Sequence, residues 1–245
     1  MNGANAGVSC AHSVSITTNK GQPLRVDFAL EPLISLRHET TAAWRIEPST
    51  TLEFDYDDSG RPPVLTEADL ARIDQATLDF AAELLADGRA HPAVIVPVSF
   101  FTMAARKGRQ ALCNIAPDPQ LLKAGVIVEF ADVDRGTPVS RLTEVGGLVT
   151  AICRAVFVRV QPGIDMLACV RGYRPHGLTL DAADLADSDA QIATQMLNFG
   201  EQAKGAAPLL VVQGLPNDGF FQVGLVAGVT HAALRAPAAQ RSVAA

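Results

Sequence analysis

The feature that most constrains the fold of this chain is the alternation of short apolar segments with longer amphipathic ones. The stretch 155–181, AVFVRVQPGIDMLACVRGYRPHGLTLD, has a strand at 156–160, then a helical segment, then a second strand at 178–181. This is the spacing of a βαβ unit, which places two parallel strands side by side. Because such alternation continues along the chain without a break in composition, we expect one α/β domain that forms a parallel barrel rather than two domains.

Composition agrees with this expectation and excludes several classes of function. Hydrophobic residues make up 48% of the 245 residues and aromatic ones only 5%, a mixture that suits parallel strands covered by alanine-rich helices. A formal net charge of −6 argues against binding to nucleic acid or to an anionic membrane. No apolar run approaches the ~20 residues of a membrane span, and the start lacks the order of a signal peptide. We therefore expect a cytoplasmic protein.

The cysteines show no spacing that is typical of a metal site. They are expected to be small buried residues in a reducing compartment, and they stand at Cys10, Cys113, Cys153 and Cys169.

The domain is expected to cover residues 23–237, with a mobile N-terminal arm at 1–22 and a disordered tail at 238–245. Pro32 argues against a central hydrogen-bonded strand position at 24–36. Thr66 is the expected N-cap of a helix that runs to Gly88. Further strands are expected at 42–46, 93–99, 126–130, 209–214 and 230–234, and further helices at 102–116, 138–153, 183–205 and 219–227.

Several short segments occur in an order that resembles one family. They are LEPLI at 30–34, TAAWR at 41–45, VPVS at 96–99, VEFAD at 128–132, VRVQ at 158–161, TLD at 179–181 and VQGL at 212–215. In order and interval they resemble Tyr-Gln-Pro-Ile-Val, Glu-Ala-Leu-x-Arg, Val-Asn-Leu-Ser, Glu-Ile-Thr-Glu, Asp-Asp-Phe-Gly, Lys-Ile-Asp and Ala-Glu-Gly-Val of the EAL domain. That family hydrolyses the bacterial messenger cyclic di-GMP on a modified TIM (β/α)8 barrel. The resemblance covers about 24–237 and implies this fold.

The resemblance also implies that most of the family's catalytic groups are missing. EAL domains hold two divalent cations with carboxylates and one asparagine, and the cations activate a water. The corresponding positions carry Thr41 for the signature glutamate, Pro97 for the asparagine, Val158 and Arg159 for the paired aspartates, Thr179 for the lysine and Gln213 for the last glutamate. We therefore expect no metal, no cofactor and no catalysis by the family mechanism.

Arg159 is expected to supply the positive charge that the cations would bring. We predict that it forms an ion pair with Glu129, since either charge would be costly if it were buried alone. The alternative is that Arg159 points into solvent. Arg45 matches the family's phosphate-contacting arginine, and with Glu129, Arg159 and Asp181 it forms the expected remnant of the cyclic di-GMP pocket.

Three functions follow from these observations. The first is a non-catalytic regulator that acts through protein–protein contacts in a cyclic di-GMP-related pathway of bacteria. The second is a cyclic di-GMP receptor without hydrolysis, and the third is a weak or different phosphodiesterase or hydrolase activity on the same barrel. For the first, Phe100, Phe101 and Arg106 form a candidate partner surface, with packing in the core as the alternative. The resemblance also allows a homodimer.

Overall fold

The computed structural model of this protein describes residues 10–52, 65–161, 170–182, 185 and 188–235. The strands within these ranges are β1 Cys10–Thr17, β2 Pro23–Ser35, β3 Thr40–Leu52, β4 Val94–Val98, β5 Val126–Phe130, β6 Ala155–Arg159, β7 Gly177–Asp181, β8 Leu209–Leu215 and β9 His231–Leu234. The helices are α1 Glu67–Ala86, α2 Phe100–Ala104, α3 Arg106–Asn114, α4 Pro119–Gly125, α5 Val139–Thr150, α6 Asp189–Ala203 and α7 Phe220–Val226. Within these ranges no helix is long and apolar enough to cross a membrane.

The strands form one sheet in sequence order, and β2 also pairs with β9. The strands β2 to β9 therefore close into an eight-stranded barrel. β2 runs antiparallel to both of its barrel neighbours, whereas β3 to β9 pair in parallel. The expected single-domain modified TIM barrel is confirmed.

Two separate apolar cores follow from the period-two alternation of side chains along the strands. One core fills the barrel interior and includes Ile95, Ile127, Phe157 and Val211. The other lies between the barrel and the helices. Because the interior core is apolar up to these residues, the next inward-facing positions form a layer at the carboxyl ends of the strands.

The start of α1 is fixed by the predicted cap. The Thr66 hydroxyl accepts from the Asp69 N–H, and the Asp69 carboxylate accepts from the Thr66 N–H at 3.0 Å, which completes a capping box. Asp69 also accepts from the Asn19 N–H at 2.6 Å, which ties the turn after β1 to α1. The hydroxyl and backbone hydrogen bonds from Thr66 hold the pKa of the Asp69 carboxyl below its usual value.

The prediction of a mobile arm at 1–22 was wrong for the part that the structure describes. Residues 10–17 form β1, which pairs antiparallel with β2. The His12 ring stacks on Phe80 of α1 with ring centroids 5.4 Å apart, so β1 has a packed face. Residues 1–9 and the predicted tail at 238–245 lie outside the described residues.

Most of the segment 24–36 does form a strand, β2, and Pro32 lies inside it and pairs with Trp44 of β3. The other edge of β2 is paired with β1 only up to Ala29 and with β9 only from Ile34 onward. Pro32 falls between these limits. A proline is tolerated there because only one edge of the strand has a neighbour.

The single helix expected at 102–116 is divided into α2 and α3. Ala105 has an extended backbone, with φ −79° and ψ 141°, and so ends one helix and precedes the next. The two helices pack so closely that a Cβ on Gly108 would clash with the backbone carbonyl of Thr102. Most other boundaries differ from the predictions by a few residues, and β5 agrees throughout.

Candidate functional site

A layer of polar side chains lies directly above the apolar interior of the barrel, at the carboxyl ends of the parallel strands. Several members follow an inward-facing apolar residue of the same strand by two positions, as Glu129 follows Ile127 and Arg159 follows Phe157. We call this layer the mouth cluster, and its members are Glu31, Arg45, Glu47, Glu129, Arg159, Thr179, Asp181 and Gln213.

Arg45 is the centre of one half of the mouth cluster. Its side chain is buried, with 1% of its surface exposed, and its Nη2 lies 3.2 Å from Glu129 Oε1. Its Nη1 pairs with Glu47 and lies 3.8 Å from Glu31 Oε2. The guanidinium is therefore surrounded by carboxylates.

Arg159 is the centre of the other half. Its Nε and Nη2 donate to Glu129 Oε1 at 3.1 and 3.0 Å, and its Nη1 lies 3.9 Å from Asp181 Oδ2. Asp181 in turn accepts from Gln213 Nε2 at 2.9 Å. The predicted ion pair between Glu129 and Arg159 is confirmed, and one Glu129 oxygen serves both arginines. We call Arg45, Glu129 and Arg159 the arginine clamp.

Two members of the clamp, Glu129 and Arg159, have pKa values shifted toward their charged forms. Burial by itself raises the pKa of the Glu129 carboxyl, but the guanidiniums of Arg45 and Arg159 outweigh it, and the pKa lies below its usual value. Burial lowers the pKa of Arg159, and the charges of Glu129 and Asp181 more than restore it. At neutral pH the clamp is therefore one carboxylate between two guanidiniums.

Three buried oxygens of the mouth cluster have no hydrogen-bond partner among the described residues. They are Glu129 Oε2, Thr179 Oγ1 and Gln213 Oε1. Buried oxygens of this kind are satisfied by water or another small donor. Arg45 Nε is a buried donor without a hydrogen-bond partner among the described residues, so the mouth cluster leaves both donor and acceptor groups open.

The residues of the mouth cluster do not fit a pair of divalent cations. Such cations need several charged oxygen ligands in one cage, but the positions around Glu129 are taken by two guanidiniums. Among the described residues no group of three or more His, Cys, Asp or Glu side chains is arranged to hold a metal ion.

Four of the predicted site residues, Arg45, Glu129, Arg159 and Asp181, are brought together by the fold. Arg45, the expected phosphate-contacting arginine, is fully buried and is paired with the carboxylates of Glu129 and Glu47. Thr41 is the residue that the resemblance places at the signature glutamate. Thr41 is exposed, and the β3 residue that contacts Glu129 is Arg45.

Sequence reasoning missed Glu47, which pairs with Arg45. Its signal was available, because Glu47 follows Arg45 by two positions and so lies on the same face of β3. Val158 faces the other way, into the core between barrel and helices.

The candidate partner surface is only partly exposed. Phe100 is buried and packs edge-to-face against Phe130, with centroids 5.3 Å apart, so its assignment to a surface was wrong. Phe101 is half-buried and packs against the core, and Arg106 is exposed. Arg106 and Lys107 line an open groove of about 660 Å³ between α1 and α3.

A second buried carboxylate lies outside the mouth cluster. Asp74 of α1 accepts from the Ser99 N–H at 3.1 Å and from the Thr102 hydroxyl at 2.5 Å. Burial raises the pKa of Asp74 to about 6, although these hydrogen bonds oppose the rise. Asp74 fixes the turn from β4 into α2, and nothing in the sequence pattern had indicated it.

The two cysteines whose side chains the structure describes lie in different environments, whereas Cys169 and the side chain of Cys10 lie outside the described part. Cys153 is buried, and burial raises the pKa of its thiol to about 11, so it is unreactive at neutral pH. Cys113 is exposed, contrary to expectation.

Known structures resemble this chain, although no protein-family model and no curated protein matches its sequence. The PaMucR phosphodiesterase, solved in complex with c-di-GMP, matches with a TM-score of 0.65 and 13% identity over 86% of this chain and 94% of that one. This chain has the fold of an EAL domain. The FimX EAL domain of Xanthomonas citri in complex with c-di-GMP matches with a TM-score of 0.61 and 15% identity over 86% of this chain and 87% of that one.

Some structures with the EAL fold are longer than this chain. The EAL enzyme Bd1971 in its cGMP-bound form matches with a TM-score of 0.61 and 10% identity over 85% of this chain, but the match spans only 60% of Bd1971. At identities this low, the structural match shows a shared fold only. The function has to be argued from the site.

Proposed function

We propose that this chain is a non-catalytic EAL-like regulatory protein that acts through protein–protein contacts in a cyclic di-GMP-related pathway of bacteria. The observation that carries the proposal is the arginine clamp, in which Glu129 is shared by Arg45 and Arg159. In the resemblance on which the proposal rests, the same carboxylate belongs to a cage for two divalent cations.

Electrostatic repulsion opposes a divalent cation beside the clamp. A divalent cation about 4 Å from one guanidinium is repelled by roughly 8 kcal/mol at an effective dielectric constant of 20. The carboxylates of the mouth cluster attract a cation, but Glu129 Oε1 is already occupied by both guanidiniums. Neither guanidinium can leave without breaking a buried ion pair. Without the cations, the chain has no means of activating water by the family mechanism.

A turnover assay tests the proposal. Purified protein is incubated with cyclic di-GMP and with Mg²⁺ or Mn²⁺, and the linear dinucleotide is measured by chromatography. We expect no product above the level of the buffer. Metal-dependent formation of the linear dinucleotide would contradict the proposal.

A receptor without hydrolysis is the second candidate, because structures with this fold were solved with c-di-GMP bound. The buried Arg45 argues against it, since the guanidinium would have to leave Glu129 and Glu47 to reach a phosphate. Calorimetric titration with cyclic di-GMP, with and without Mg²⁺, separates the candidates. Regulation by protein contact predicts no binding heat, and saturable binding without turnover would favour the receptor.

A further inference from the structure

In the part of the chain that the structure describes, the outermost strand, β1, has an open edge. β1 pairs with residues 23–29 of β2, and the far end of β3 pairs with the same part of β2. β3 pairs with β4 only at Trp44 and Arg45. These three strands therefore extend beyond the barrel as a small antiparallel sheet. Among the described residues its two edges, β1 and the end of β3, have no further strand beside them.

The two edges differ in how they are protected against pairing. The end of β3 carries Glu47 and Pro48, and charges and prolines are devices by which natural proteins block an edge strand. β1 is eight residues long and reads CAHSVSIT, without Lys, Arg, Asp, Glu or Pro. An edge of this length without such protection is a template for another strand.

β1 is also held firmly in place, as a template must be. His12, Val14 and Ile16 face α1, where the His12 ring stacks on Phe80 and the two aliphatic side chains pack against the core. The opposite face of β1 presents Ser13, Ser15 and Thr17 to solvent.

We infer that two copies of this chain associate by antiparallel pairing of β1 with β1 of a second copy. A strand that pairs antiparallel with itself is closed by a two-fold axis, which is the symmetry of most homodimers. β1 has no charged side chain that would repel its own copy, and it offers no counter-charge to a charged partner strand. The uncharged edge is thus complementary to itself.

The dimer is expected to depend on concentration. One strand of eight residues forms an interface at the small end of the known range, where complexes are weak and reversible. The inference does not depend on the proposed function, because it concerns a surface away from the mouth cluster.

Light scattering coupled to size-exclusion chromatography, over a range of protein concentrations, tests the inference. Ser13 and Ser49 lie on either side of Asp27 in the same exposed row of the sheet, one on β1 and one on β3. We expect Ser13→Lys to raise the dissociation constant of the dimer about tenfold or more, because a lysine on an edge strand opposes pairing with a second strand. The matched variant Ser49→Lys adds the same charge beside the same aspartate and should dimerise like the wild type.

A wild-type protein that stays monomeric at its highest soluble concentration would overturn the inference, as would equal dimerisation of the two lysine variants. Circular dichroism shows whether Ser13→Lys is folded. If it is not, Ser15→Glu, which stands beside Arg25, replaces it and should also give a monomer. Hydrogen exchange gives an independent result, since the β1 amides should gain protection as the concentration of the wild type rises.

Discussion

At the scale of single residues, the ion pairs of the mouth cluster converge on one carboxylate oxygen. Glu129 Oε1 lies 3.2 Å from Arg45 Nη2 and 3.0 Å from Arg159 Nη2. The burial of two guanidiniums this close together is stable only while the Glu129 carboxylate lies between them. The clamp is therefore a structural element as well as the reason why divalent cations do not fit.

Replacing the shared carboxylate should be strongly destabilising. We expect Glu129→Gln to lower the free energy of unfolding by up to about 3 to 5 kcal/mol, since it removes the anion that the two guanidiniums share. Glu31 and Glu47 then remain beside Arg45, and Asp181 beside Arg159. The exposed pair of Arg141 and Glu144, 2.8 Å apart, provides the control. Glu144→Gln should change stability by less than about 1 kcal/mol. Urea denaturation measures both, and equal losses would show that the clamp is not stabilised by its charges.

Asp74 should make stability depend on pH in a defined direction. Its folded pKa of about 6 lies above the ordinary value of 3.8, so the folded state holds the proton more tightly than the unfolded state. The contribution of Asp74 to stability is thus greatest below pH 3.8 and falls as pH rises to about 6. Relative to Asp74→Asn, the wild type should lose roughly 2 to 3 kcal/mol across this window. Parallel pH profiles of the two proteins would contradict the assignment.

At the scale of elements, the strands that carry the site could be predicted from sequence because their residues are apolar and closely spaced. The pairing of Glu129 with Arg159 followed from their places at the ends of neighbouring strands. The partners of Arg45 were harder to predict. Its alignment with a phosphate-contacting arginine gave no information on the carboxylates that surround it. β1 was missed because its sequence, CAHSVSIT, has only two large aliphatic residues and so resembles a polar loop. Its packing on Phe80 of α1 is visible only in the structure.

The helix pair after β4 gives a prediction at this scale. Gly108→Ala should destabilise the protein by about 1 to 3 kcal/mol, because the new Cβ meets the Thr102 carbonyl and α2 and α3 must separate. Gly147 lies in α5, and a Cβ added there would meet no atom within 4 Å. Gly147→Ala should therefore stabilise by up to about 1 kcal/mol. Thermal unfolding compares the two, and a neutral Gly108→Ala would disprove the close contact.

At the scale of the whole molecule, the EAL fold persists at 10 to 15% identity to solved structures. The order and period of the apolar segments predicted one barrel-like α/β domain, and the resemblance of the short segments implied its EAL type. The side chains at the barrel mouth can differ between proteins with this fold, since strand pairing and not these side chains closes the barrel. The sequence alone could not show that Arg45 and Arg159 converge on one oxygen, because that depends on how the strands are placed around the barrel.

The most direct measurement of the central claim is a titration with Mn²⁺, in which the free ion is followed by electron paramagnetic resonance. If the arginine clamp takes the place of the cations, the wild type should show no saturable site, and the folded fraction of Glu129→Gln should behave in the same way. Binding of about two Mn²⁺ per chain to the wild type, lost in Glu129→Gln, would contradict the account.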